Sequence, residues 1–177
     1  MQRKYNWFIG LVSVVLTIAL LAGGQVLWQK YAVAKPLDKM LQGIDGVERA
    51  TWEEGAKKED VKIHVMLRQV GNLPKTYSEI TDGCRQILGS RGFKIIIHDN
   101  RTPELEQFYY RVHYFIQEAI FTGNFALMAE RLEEQAAQNG VAVQAYVDAR
   151  HVYLKLTKDG GEMYEVVPRT VDSREVK

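Results

Sequence analysis

From Trp7 to Trp28 the chain reads WFIGLVSVVLTIALLAGGQVLW, a run of about 22 residues with no charge. As a helix rising roughly 1.5 Å per residue it would span about 33 Å, the thickness of a bilayer's hydrocarbon core. Trp7 and Trp28 stand at its two ends, where indoles favour the membrane–water interface. The run therefore predicts a transmembrane helix over 7–28 in contact with membrane lipid. The rival is a cleaved signal peptide, whose apolar core is shorter and is followed by small residues. Ala22–Gly24 would serve for cleavage, whereas Ala32–Ala34 lies too far from the core. A lipoprotein is excluded because the sole thiol is Cys84. The short basic head, with Arg3 and Lys4, resembles an uncleaved signal anchor. It predicts a cytoplasmic head over 1–6, a single-pass location in the cell membrane, a juxtamembrane linker over 29–35, and a domain outside the cytoplasm.

The rest of the chain has the composition of a folded domain: 46% hydrophobic and 25% charged residues overall. A formal net charge of +1 gives no general attraction for nucleic acid, and a single cysteine forms no internal disulfide. Leu37, Met40, Leu41 and Ile44 fall at helical spacing after Pro36, and Gly46 is placed to end that helix. VERATWEE reads as a strand. In VKIHVMLR, Val61, Ile63, Val65 and Leu67 alternate with Lys62, His64, Met66 and Arg68, the period of a strand with one buried face. Thr76 and Glu79 have the spacing of a capping box at the start of the next helix. GFKIIIHDN follows as a strand, and its nearly continuous apolar run predicts a central one.

In the second half, Thr102 and Pro103 open an aromatic helix over 103–121. NFALMAERLEEQAAQNG is a further helix closed by Gly140. Three strands then form a meander whose last hairpin turns at Asp159-Gly160. The expected fold class is α+β, an antiparallel or mixed sheet with three to four helices. It divides into an αββαβ module over 36–100, an ααβββ part over 101–168 packed on it, and a disordered tail over 169–177.

The first module, on the stretches LDKMLQGIDGVERATW, VKIHVML, YSEITDGCRQIL and FKIIIHD, resembles the ring-building modules of bacterial envelope machines. Those modules occur in sporulation channels and secretion-system rings. The order of a helix, an I-x-G-V step, two strands, a helix and a strand is what that family implies. The resemblance covers about a third of the chain and implies an assembly domain. The aromatic helix and the meander depart from it, and no functional residue carries over.

Chemistry is hard to find in the residues. His64, His98, His113 and His151 make no metal-type spacing, and Cys84 lacks a C-x-x-C partner. His64 faces outward on its strand, and His98-Asp99 ends one. Asp148 and His151 lack a nucleophile, and Cys84 sits in an apolar stripe as a core residue. No catalytic, cofactor or metal residue is expected, nor a cofactor. The stretch above background is QFYYRVHYF. Tyr110 and Tyr114 lie one turn apart, off the face that Phe108, Tyr109 and Phe115 give the core, with Arg111 and His113 at the flanks. They suit a protein partner or a second copy of the chain. Alternatively, layers on both sides of the helix make them semi-buried. The sequence thus points to a non-enzymatic membrane protein whose domain self-assembles or scaffolds an envelope complex. The alternative is a sensor binding a small molecule or peptide near helix 103–121.

Overall fold

β1 (Val47–Glu54) and β2 (Asp60–Leu67) pair antiparallel, and β3 (Gly92–His98) joins β2 in parallel, giving the order β1-β2-β3. A parallel pair needs a crossover, and α2 (Leu73–Leu88) supplies it. Ahead of β1 lies α1 (Lys35–Gln42). The computed structural model describes residues 11–18, 35–54 and 60–170. Val61, Ile63, Val65 and Leu67 are fully buried, packing in one core with Leu37 and Leu41 of α1 and Ile80, Cys84 and Leu88 of α2. Period 2 on the strand and helical spacing on both helices aim these side chains at one another. Burial pushes the Cys84 thiol up to about 11, so it serves as a small apolar core residue and not as a nucleophile.

The second half begins with α3 (Pro103–Thr122) and α4 (Phe125–Asn139), a hairpin turned at Gly123. Thr102 and Asn124 cap the two helices through their side-chain oxygens. β4 (Ala142–Val147), β5 (His151–Lys158) and β6 (Gly161–Pro168) follow as an antiparallel meander. Asp159 and Gly160 both have positive φ, 50° and 80°, as a two-residue hairpin with matching twist requires. This sheet is covered on both faces. Val152, Leu154, Leu156 and Met163 pack on Phe108, Val112, Ile116 and Leu132 of the hairpin. Tyr153 and Tyr164 point the other way, into the core of the first module. The Val70 N–H donates to the Tyr164 hydroxyl at 3.0 Å, and Lys155 Nζ donates to the Val70 carbonyl at 2.8 Å. Sheet and module are thereby one packed body.

The α+β class and the αββαβ-ααβββ order match the sequence reading; the anchor does not. Among the described residues no helix is long and apolar enough to cross a membrane. The transmembrane, single-pass and signal-anchor assignments fall on that finding. The cell-membrane location and the extracytoplasmic placement fall with them. Trp7, Trp28, the head 1–6 and the linker up to 34 lie outside the described residues, as does the tail from 171.

Three smaller readings also change. β3 is an edge strand of its own sheet, not a central one. Its apolar run arises because Ile95 and Ile97 face the core while the second sheet stands beside them. The cap of α2 is Asn72, whose side chain accepts from the Lys75 N–H at 3.0 Å. Thr76 is already inside the helix, where its hydroxyl donates to the Asp45 carbonyl at 3.1 Å. Arg169 is held in place, its N–H on the Arg150 carbonyl at 2.8 Å and its guanidinium 4.6 Å over the Phe125 ring.

Gly46, in the I-x-G-V step, is sterically determined. Its φ is 86°, and a Cβ there would lie 2.7 Å from Val70 Cγ2 and 3.3 Å from the Val70 Cα. Gly46→Ala should therefore destabilise the fold by about 2–4 kcal/mol, combining left-handed strain with overpacking. Urea unfolding with an unchanged slope would check it.

Candidate functional site

Helix α3 carries two apolar faces. Leu105, Phe108, Val112, Ile116 and Ala119 are buried. Roughly opposite, at 3.6 residues per turn, Tyr110, Tyr114, Gln117 and Phe121 fall within about 60° of arc. Tyr110, Tyr114 and Phe121 are 59%, 67% and 93% exposed. The semi-buried alternative for the two tyrosines is therefore excluded. Phe121 belongs to the same line and escaped the sequence reading, although its spacing of seven from Tyr114 is the signal that would have found it. His113 lies 4.0 Å, centroid to centroid, from the Tyr114 ring, and its Nδ1–H donates to the Tyr110 carbonyl at 2.8 Å. That bond fixes the tautomer and leaves Nε2 as an acceptor. Arg111 turns away to Asn139 Oδ1 at 3.0 Å, fastening α3 to the end of α4. Of the four expected surface residues, three share one exposed patch and Arg111 belongs to the hairpin.

A second feature is the seam between the sheets. The Glu162 N–H bonds the Asn100 carbonyl at 3.1 Å, so the chain just past β3 pairs with the start of β6. Beyond that point the two edge strands diverge around a cleft of about 590 Å³, which Ile95, Ile97, Tyr164 and Val166 help to line. It continues past Tyr77 into a wider one of about 1010 Å³, whose walls include Arg85, Arg150 and Gln117. At the narrow end Asp99 holds Arg101 through two bonds of 2.7 and 2.8 Å, and Arg101 reaches Glu165 at 3.0 Å. The Asp99 bond is the main reason that the guanidinium is held even more firmly protonated than usual. Burial raises the Glu165 carboxyl, against the pull of Arg101.

At the wide end stand Asp148, His151 and Tyr153. The Asp148 carboxylate accepts from the N–H groups of Arg150 and His151 at 2.6 and 2.7 Å and from the Tyr153 hydroxyl at 2.7 Å. Burial works against the charged form, yet those bonds hold its pKa below the ordinary value. The carboxylate closes the β4–β5 turn, and the His151 ring is 4.0 Å from it. The Tyr153 hydroxyl, which burial and Asp148 push well above its usual range, is a poor nucleophile at neutral pH. The arrangement is a turn lock and not a catalytic triad. Burial lowers the His151 pKa from 6.5. The unfolded chain then takes up this proton first as pH falls through 6.5, so stability decreases on acidification from that point down. His151→Gln should flatten the fall in melting temperature between pH 7 and 5, measured by circular dichroism.

A third cluster lies on the open face of the first sheet. His64 Nδ1 is 2.9 Å from His98 Nε2, and Glu53 Oε1 is 3.6 Å from His64 Nε2 and 3.3 Å from Lys62 Nζ. The Lys62 bond, with help from His64, holds the Glu53 carboxyl below its ordinary value. Among the described residues no three His, Cys, Asp or Glu side chains are grouped as a metal centre. Comparison with family models, with curated proteins and with solved structures gave no match.

Proposed function

We propose that this chain is a non-catalytic assembly domain that associates with a second copy of itself through the outer face of α3. The observation that carries the reading is the line of three exposed aromatics, set opposite the buried stripe of the same helix. Aromatic side chains exposed in line are unusual outside binding surfaces, because each contributes about 150–250 Å² of contact area. The line is centred between Phe115 and Ile116. An antiparallel copy would set Tyr110 against the partner's Phe121, an aromatic pair. The αββαβ order of the first module, which is that of ring-building modules, supports an assembly role as well.

Magnitude decides how tight the contact is. The three aromatics bring about 450 Å² per copy, so even with a polar rim the total stays near the low end of specific interfaces. A contact of that size is weak and transient, and self-association at roughly 100 µM is expected. Sedimentation equilibrium of the full chain should show a monomer–dimer transition across that range. A single species of monomer mass at every concentration would overturn the reading.

The wider cleft favours a second reading, a binding domain for an anionic small molecule or peptide. Gln117 brings α3 to its wall, and Arg150 faces it from the β4–β5 turn. Saturable binding of an acidic peptide that Arg150→Gln weakens, with no dimer formed, would favour this reading over the first.

A further inference from the structure

We propose that His64 and His98 form a copper(II) site on the open face of the first sheet, with Glu53 as the positioning residue of the His64 ring. The two histidines are 34 positions apart in sequence and meet because β2 and β3 run in parallel. Register places Met66 opposite His98, and the period of 2 on β2 places His64 and Met66 on one face. The three side chains therefore share one patch of sheet.

The spacing selects the ion. Two nitrogens 2.9 Å apart, each bonded to a metal at about 2.0 Å, subtend roughly 90° at it. That is the angle of adjacent positions in a tetragonal site, the preference of copper(II) and nickel(II), and is narrower than tetrahedral zinc adopts. Without an ion the pair shares one proton in an N–H···N bond, and a turn of each ring by about 45°, on the fast timescale of side chains, aims both nitrogens at one ion. Glu53 supplies the outer support: a carboxylate against Nε2 favours a proton there and leaves the Nδ1 lone pair facing His98. The remaining positions are open to water. Lys62 is the nearest cation on this face and is held by Glu53 at 3.3 Å. The site is independent of the self-association face, which lies on α3.

Titration of the full chain with copper(II) chloride at pH 7, followed by calorimetry and by electron paramagnetic resonance, tests the site. One equivalent should bind at micromolar copper with the hyperfine pattern of two coordinated nitrogens. His64→Gln or His98→Gln should weaken binding at least tenfold and leave one nitrogen. Glu53→Gln should weaken it by about tenfold with both nitrogens retained, as loss of an outer partner does. Nickel(II) should bind more weakly than copper(II). Undiminished stoichiometric binding by the double variant, saturation only at millimolar copper, or zinc(II) binding tighter than copper(II) would each overturn the proposal.

Discussion

Asp99→Ala should lower the stability of the domain by about 3–4 kcal/mol, read from urea unfolding of the full chain. The Asp99 side chain is 1% exposed and sits where the two sheets meet. Its Oδ1 accepts from Arg101 Nε at 2.7 Å, and its Oδ2 accepts from Arg101 Nη2 at 2.8 Å and from the Tyr164 N–H at 2.9 Å. Alanine removes both acceptor oxygens and these bonds with them, together with the 3.2 Å bond that Oδ1 accepts from the Arg101 N–H. Arg101 is left with Glu165 alone, and the Tyr164 N–H loses its acceptor beside a buried core. An orphaned buried donor costs about 1–3 kcal/mol, and a broken buried ion pair about 3–5 kcal/mol. Because Arg101 is 32% exposed it can turn toward water, which places the expected loss at the lower end. Asp99→Asn keeps an acceptor for Tyr164 and should cost about 2 kcal/mol. By contrast Asp82→Ala, which removes an exposed partner of Arg85, should change stability by less than about 0.5 kcal/mol. A smaller loss for Asp99→Ala than for Asp99→Asn would show that the seam is not held this way.

Replacing Tyr110, Tyr114 and Phe121 together by serine should weaken self-association tenfold or more while leaving the melting temperature close to that of the parent chain. The two halves of that statement have different physical causes. In a single copy the three side chains are exposed and contribute little packing, so surface substitutions there stay within about 0.5 kcal/mol. In a dimer they are the buried anchors, and truncating one such aromatic commonly costs 2 kcal/mol or more of binding. Leu132→Ala, on the core side of the hairpin, gives the opposite pattern. It should cost about 2–5 kcal/mol of folding stability and, wherever the chain stays folded, leave the association constant unchanged. A triple variant that unfolds, or that dimerises as well as the parent, would remove α3 as the contact.

Local signals read true along most of the chain. Thr102-Pro103, Gly140 and Asp159-Gly160 set element ends in the sequence, and the structure ends its elements there. The alternation in β2 likewise named the four residues that are fully buried. Two of the misreadings share a cause, because each concerns a contact made far along the chain. The apolar run of β3 looked central because local patterning cannot distinguish a buried strand from an edge strand flanked by another sheet. Thr76 looked like a cap because its acceptor, the Asp45 carbonyl, is 31 positions away. Hydropathy alone over 7–28 suggested a span, which no helix among the described residues bears out. The exposed face of α3 was half legible: the spacing of Tyr110 and Tyr114 placed them off the core face, but whether a further layer covered them is a tertiary fact. The His64–His98 pair was not legible at all, since only the parallel register brings the two rings together.

Cysteine cross-linking between two differently substituted chains tests self-association through α3 most directly. The native Cys84 is buried, with its thiol pushed up to about 11, and stays out of the reaction. A Tyr110→Cys chain is mixed with a Phe121→Cys chain under mild oxidant at high concentration. In antiparallel pairing these two positions face each other, whereas two copies of position 110 stand about 16 Å apart along the helices, beyond the reach of a disulfide. The expected result is a mixed disulfide far above the twofold excess over either homodimer that random collision gives. The statistical 1:2:1 ratio of products, or no more cross-link than an exposed control such as Glu133→Cys gives, would contradict the proposed contact.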